Sequence, residues 1–363
     1  MESRLLILAA IVLPIGLYFW TIYTQQALGV PGITAVLLNW KRLDNNVRIV
    51  AELCKLDTIA QIRIWNNNPS LQLHFRDFAS TGCPEQKIWI HNSPQNVLFL
   101  ARYIACASSY TRHCFIQDDD YLVRAPVIQA LYLYLQEATN SEQPIHLLAP
   151  DAHLSTALLS ISTSRIHTSF AWLGYGTIVA RSHVRSFLTL LHHPLLDMKM
   201  DERHMADNYF SVLGNRISTI WIDQGEPLHH NDAFTVGTEG DHRNWLFAQK
   251  ALDRLITVLD EPNLRTFGPY TDRSLSLRSS SIITRAPCLR DSCVVETNIL
   301  LLPNGTPPHN MSEEDARRLN FRETFLYHSA VLGSEGIERY VRHSLSALVD
   351  GDYETSFRSP KGE

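Results

Sequence analysis

Three consecutive aspartates, Asp118, Asp119 and Asp120, follow the apolar run HCFIQ at residues 113–117. Adjacent like charges repel, so packing alone gives no reason to place them at the end of a strand. In extended backbone, Asp118 and Asp120 point to one side and Asp119 to the other. That layout suits a hard divalent cation bound by one or two carboxylates, with water and diphosphate oxygens filling its remaining positions. Such a cation would offset the charge on a leaving diphosphate and act as a Lewis acid. A solvated acidic turn, or an acidic cluster at the start of the next helix, is the reading without chemistry.

Read by themselves, Arg42 and Arg102 are surface residues or helix ion-pair partners, and Asp207, in MADNYFSVLGN, is a helix-surface acid paired with Arg203 one turn earlier. His192, His193, His229, His230 and His242 show no second ligand at metal-site spacing, so uncoordinated histidines are the simpler reading. No Ser-His-Asp arrangement, glycine-rich phosphate loop or CxxC pair competes with the aspartates.

The elements that must position these residues alternate between strand and helix. Strands are predicted at residues 33–38, 61–65, 87–90, 113–117 and 145–148, the first an apolar run of the kind covered on both faces. Between them, helices are predicted over 97–108 and 125–138, and one follows Asp44 as its cap, with Val47, Val50, Leu53 and Cys54 on one face. Further on come a strand at 174–180, a helix from Ser182 to about residue 191, a helix at 201–213, a strand at 217–222 and a helix at 243–259. This βαβ pattern predicts an α/β fold with a mainly parallel sheet between helices. Ligands bind such sheets at the carboxyl ends of the strands, which singles out residues 39–42, 66–68 and 118–120. From about residue 261 the chain is rich in Ser, Pro and Arg and reads as a C-terminal extension over 261–363, with one helix at 313–329.

The 363 residues suffice for one large domain, and a net charge of −5 excludes the basic surface that nucleic-acid binding needs. Residues 5–23, LLILAAIVLPIGLYFWTIY, carry no charge. As a helix rising ~1.5 Å per residue, they match a ~30 Å hydrocarbon core and predict a transmembrane anchor, with a cleaved signal peptide as the alternative. Residues 1–4 then form a cytoplasmic tail and 24–32 a short stem, and the rest lies in the lumen of the secretory pathway, in the endoplasmic reticulum or Golgi. Asn304 and Asn310 head glycosylation acceptor patterns in a Pro-rich segment. Cys288 and Cys293 could close a small disulfide loop in an oxidising compartment, while Cys54, Cys83, Cys106 and Cys114 read as buried free thiols.

Several segments, in order along the chain, resemble the exostosin-like enzymes of glycosyltransferase family 64 and related fungal family-2-like proteins. They are ITAVLLNWKR, IRIWNNNPS, NVLFLARYIACA, CFIQDDDYL, FAWLGYGTIVAR, MADNYFSVLGN and EGDHRNWLFAQKAL, covering about residues 33 to 255. The resemblance implies a glycosyltransferase A fold over residues 33–260, with a UDP-sugar donor and Mn²⁺ or Mg²⁺. It makes Asp120 the metal ligand, and Arg42, Asn66, Asn67, Arg102, Asp118 and Asp119 the nucleotide-sugar site. Asp207 and Arg243 become the catalytic residues. The family's acidic pair stands here as Ala206-Asp207, and its cysteines near this helix are absent. The implied reaction transfers a hexose or N-acetylhexosamine to a glycan or glycoprotein hydroxyl, with retention; the alternative is a catalytically silent glycan-binding or scaffold protein.

Overall fold

The computed structural model describes residues 30–137, 143–150, 158–223, 225–228, 238–267, 270–272, 284–290, 292–297, 312–318 and 321–358. The anchor expected at 5–23, the acceptor sites Asn304 and Asn310, and His229 and His230 lie outside the described residues. Among the described residues no helix is long and apolar enough to cross a membrane.

A nine-stranded sheet organises the chain. Its strands are β1 (Val30–Asn39), β2 (Ile59–Asn66), β3 (Ile88–Asn92), β4 (Thr111–Gln117), β5 (Ile145–Leu148), β6 (Thr177–Ala180), β7 (Thr219–Ile222), β8 (Thr284–Arg285) and β9 (Val295–Thr297). They lie in the order β8-β9-β7-β5-β6-β4-β1-β2-β3. β4, β1, β2 and β3 are mutually parallel, as are β5 and β7, while β6 and β9 run antiparallel to their neighbours. The fold is therefore mixed α/β with a mainly parallel sheet. From β1 the chain steps outward to β2 and β3, then returns to place β4 on the other flank of β1. That reversal opens a crevice at the carboxyl ends of β1 and β4, the usual ligand position in such sheets.

Helices cover both faces. Alternate residues of β1 point to opposite sides: Ala35 and Leu37 join one core with α1 (Leu43–Cys54) and α3 (Ala125–Glu137). Val36 joins the other, with α2 (Leu100–Ala107), α4 (Arg181–Leu191), α6 (Ala206–Leu213) and α7 (Thr238–Asp260). Between α4 and α6 lies the short helix α5 (Met200–His204).

Local differences from the sequence expectations have identifiable causes. α1 starts at Leu43 with Arg42 as its uncapped boundary, so Asp44 sits in the first turn, where it favours the helix dipole without capping it. α2 begins three residues later than predicted. Leu98 is left-handed (φ 50), and Asn67 holds this turn by accepting from the Val97 N–H at 3.2 Å and donating to the Leu98 carbonyl at 3.0 Å. Likewise, the helix expected over 201–213 is two helices, because Met205 (ψ 36) breaks the spiral between α5 and α6.

Beyond residue 260, the two short strands β8 and β9 extend the central sheet past β7, and Trp221 donates its Nε1–H to Glu296 at 2.8 Å. Two- and three-residue strands leave no period for a sequence pattern to show. The helix expected at 313–329 appears as α8 (Glu313–Arg318) and α9 (Phe321–Arg342), the latter kinked at Gly333 (φ 63).

All six cysteines are paired: Cys54–Cys83, Cys106–Cys114 and Cys288–Cys293. The first four were expected as free thiols. An apolar context buries a thiol and a disulfide alike, so pairing across 29 residues, or from a helix to the next strand, cannot be read from local sequence.

Candidate functional site

The crevice is built by the strand ends. β1, β2 and β3 finish in register on Asn39, Asn66 and Asn92. The Asn39 amide donates to Asn66 Oδ1 at 2.9 Å, and Asn66 donates to Asn92 Oδ1 at 3.0 Å and to the Leu71 carbonyl at 2.6 Å. Asn66 is fully buried and spends its amide on this ladder. It therefore sits in the crevice floor and is not among the residues lining the cleft, where a nucleotide contact was expected. Asn67 does line the crevice, although its amide is committed to the 97–98 turn.

The resulting cleft encloses about 810 Å³, counting the part open to solvent. Its walls carry the three aspartates, the cations Lys41, Arg42, Arg102 and Arg243, and the aromatic side chains of Trp40, Phe99 and Trp172. Trp40 and Lys41 fall within the strand end 39–42 singled out from the sequence without being named individually, while Phe99 and Trp172 were not read as site residues. Both lie inside the quoted segments NVLFLARYIACA and FAWLGYGTIVAR, which was the available signal.

The aspartates do not alternate as extended backbone would require. β4 ends at Gln117, and the chain turns through Asp119 and Asp120. Asp118 therefore faces inward, accepting from Arg102 Nη2 at 2.7 Å. Asp119 and Asp120 instead share Arg42, whose Nη1 lies 3.0 Å from Asp119 Oδ1 and 3.3 Å from Asp120 Oδ2. Two backbone contacts brace the turn: Asn45 Nδ2 donates to the Asp119 carbonyl at 2.7 Å, and the Leu228 N–H to the Asp120 carbonyl at 2.8 Å. Gly174 closes the inner wall. Its carbonyl accepts from the Asp118 N–H at 2.7 Å, and a Cβ there would stand 2.2 Å from Asp118 Oδ2 and 2.3 Å from Trp172 Nε1.

Behind the wall lies a buried ionic network. Arg102 is fully buried between Asp118 and Asp207, with its Nη1 3.3 Å from Asp207 Oδ2. Asp207 is also fully buried, accepts from the Tyr103 hydroxyl at 3.0 Å, and does not line the cleft. Its partners are Arg102 and Tyr103 rather than Arg203. The sequence expectation that Asp207 acts on a substrate thus gives way to a position one side chain removed, because α6 starts only at Ala206 and packs Asp207 under α2. Arg243 does reach the cleft, and its guanidinium and that of Arg102 both lie over the Phe99 ring, at 5.4 and 5.2 Å. His242 instead packs edge-on against Trp245. His192 and His193 sit at the end of α4, bonded to the local backbone.

Burial dominates the electrostatics. It raises the Asp207 carboxyl to about 6 against the opposing pull of Arg102. Burial, reinforced by Asp118, raises Asp119 to about 7, and Arg42 opposes it. Asp118 is raised by burial as well, although Arg102 pulls the other way. Burial would lower Arg102, but Asp118 and Asp207 outweigh it and keep the guanidinium charged. The network therefore resists a further uncompensated negative charge and would welcome a cation at its exposed edge.

That edge is Asp120, the most exposed of the three at 38 %, against 19 % for Asp118 and 16 % for Asp119. Among the described residues no group of three or more His, Cys, Asp or Glu is arranged to hold an ion unaided. One accessible carboxylate beside cationic walls does fit a divalent cation whose other ligands are water and diphosphate oxygens.

No protein-family model matches the chain, and no curated protein matches it. Among solved structures, S. aureus TarS residues 1–349 in complex with UDP-GlcNAc aligns with a TM-score of 0.40 and 8 % identity, over 64 % of this chain and 67 % of that one. A likeness of that degree assigns neither ligand nor activity to this chain.

Proposed function

We propose that the cleft binds a UDP-sugar together with Mn²⁺ or Mg²⁺, and that the protein is a glycosyltransferase of the A fold, transferring a hexose or N-acetylhexosamine to a glycan or glycoprotein hydroxyl. The observation that carries this reading is the acidic turn at the switch point of the sheet, facing Lys41, Arg42 and Arg243 across an aromatic-walled cleft. Cations of this kind neutralise phosphate oxygens, and flat aromatic walls suit a base or a sugar ring. Asp120 would hold the cation, which when bound offsets charge on the departing diphosphate. Arg42, now shared between Asp119 and Asp120, would turn toward phosphate. Arg102 holds Asp118 in place, and Asp207 holds Arg102 in place.

Among the described residues the cleft wall carries no carboxylate besides the triplet. An inverting transferase needs a separate general base at the acceptor hydroxyl. We infer retention by front-face displacement, with a leaving diphosphate oxygen taking the acceptor proton, as the resemblance implies. The same observation would suit a silent UDP-sugar-binding protein, which remains the second reading. A donor screen with Mn²⁺ separates them: the account expects turnover with an α-linked product from an α-linked donor, lost in Asp120→Ala. A β-linked product would refute retention, and binding without turnover would establish the silent protein.

The three disulfides support residence in an oxidising compartment. With the apolar segment at 5–23, we place the protein in the endoplasmic reticulum or Golgi membrane, single-pass, with its cleft lumenal. Glycosidase treatment should shift its mobility if Asn304 or Asn310 is used, and a C-terminus protected from added protease in sealed microsomes is expected. A cytosol-accessible C-terminus would overturn this topology.

A further inference from the structure

We propose that the Cys106–Cys114 disulfide is a positioning element of the cleft, setting Arg102 against Asp118. The bond and the ion pair join the same two elements. α2 carries Arg102 and, one turn later, Cys106; β4 carries Cys114 and runs directly into Asp118. Both sulfur-bearing residues are fully buried, so the bond fixes the helix on the strand from within the core.

α2 needs such a hold. It has only eight residues and no side-chain cap at its first turn, and helices this short are not stable by themselves. Its leading end is held by the Asn67 clamp on the 97–98 turn and by the Phe99 N–H donating to the His204 carbonyl at 3.1 Å. At its trailing end, three arginines grip the turn that follows. Arg63 Nη1 donates to Ser108 Oγ at 2.7 Å, Arg181 Nη1 to the Ser109 carbonyl at 2.6 Å and Arg185 Nε to the Ala107 carbonyl at 2.9 Å. The disulfide is the covalent member of that grip.

The precision matters because Arg102 is wholly buried between two carboxylates. A buried ion pair repays its desolvation only in good geometry, and a small displacement of α2 would move the guanidinium away from Asp118 and tilt the acidic turn. The other two disulfides lack this relation: Cys54–Cys83 joins the end of α1 to the segment before β3, and Cys288–Cys293 closes a two-stranded turn outside the sheet.

The inference rests on the reading that the cleft binds a nucleoside diphosphate, and the test separates the two. UDP affinity with Mn²⁺ would be measured by calorimetry on the full chain and on C106A/C114V, C54A/C83A and C288A/C293A. Loss of positioning predicts an affinity drop of about ten- to hundredfold in C106A/C114V alone. It also predicts that removing the bond in an Arg102→Lys background has little further effect. Full affinity in folded C106A/C114V, or an equal loss in folded C54A/C83A, would overturn the proposal. If C106A/C114V does not fold, Arg185→Ala, which loosens the same end of α2 from the surface, carries the test: weakened UDP binding supports the proposal and unchanged binding refutes it. If the wild type binds no UDP, the functional reading fails. The positioning claim is then read in the unfolding equilibria of the same variants, where the bond and Arg102 must be non-additive; additivity refutes it.

Discussion

Replacing Asp207 by Asn should stabilise the protein at alkaline pH while weakening the cleft. Asp207 is fully buried, and its carboxyl is raised from 3.8 to about 6, burial outweighing the attraction of Arg102. Because its folded-state pKa lies above the unfolded value, the folded chain binds that proton more tightly. Stability is then greatest below the unfolded pKa, falls as pH rises from 3.8 to about 6, and stays reduced above that interval. At ~1.4 kcal/mol per pKa unit, the ionised side chain costs roughly 3 kcal/mol at pH 8 relative to a pH well below 3.8. Asn is neutral at both values and can keep the bond from Tyr103, but its amide beside Arg102 forfeits part of the gain. Urea unfolding of wild type and Asp207→Asn at pH 4.5 and 8.0 isolates the effect, since titrations shared by the two proteins largely cancel in the difference. The expected result is a variant that gains about 1–3 kcal/mol on the wild type between the two pH values. In parallel, its affinity for UDP with Mn²⁺ should fall severalfold, because Arg102 loses one of its two anchors. A stability difference independent of pH, or a variant that loses ground at pH 8, would mean that the ionised Asp207–Arg102 pair is net stabilising and that the burial argument is wrong.

Further predictions follow from individual contacts. Gly174→Ala places a methyl 2.2 Å from Asp118 Oδ2 and should weaken UDP binding by about tenfold or more; calorimetry showing unchanged affinity would mean that the wall yields freely. Arg42→Ala removes the cation that opposes the rise of Asp119 to about 7, so the loss of stability with rising pH should extend further into the alkaline range than in the wild type; unfolding curves between pH 5 and 9 that superimpose would refute the pairing. Asn66→Ala should cost about 1–3 kcal/mol by leaving buried partners unsatisfied, with the folded fraction binding UDP nearly as the wild type does. Normal stability with abolished binding would restore Asn66 as a ligand contact.

Much of this architecture was legible because buried parallel strands announce themselves as apolar runs. Residues 33–38 and 145–148 are such runs, and the strand at 113–117 was read from the same logic, whereas the turn that follows it replaces the extended backbone expected for the aspartates. Arg42, Arg102, Asn67 and Arg243 are indeed brought to one cleft with the triplet. Depth, by contrast, was invisible. Asn66 and Asn67 are identical neighbours in sequence, yet one is sealed into a ladder of strand-end amides and the other faces the cleft. Asp207 looked like a site acid, but a helix break at Met205 sets it behind Arg102, away from the cleft wall. The cysteine pairs and the strands of the C-terminal segment depend on contacts between distant or very short segments, which carry no local period.

The central claim is that the cleft holds a nucleoside diphosphate through a cation on Asp120. Calorimetric titration of UDP into wild type and Asp120→Asn, each with and without Mn²⁺, tests it most directly. The account predicts binding by the wild type that tightens at least about tenfold with the metal, and an Asp120→Asn variant whose residual affinity ignores the metal. No binding by the wild type, or the same metal enhancement in both proteins, would contradict it.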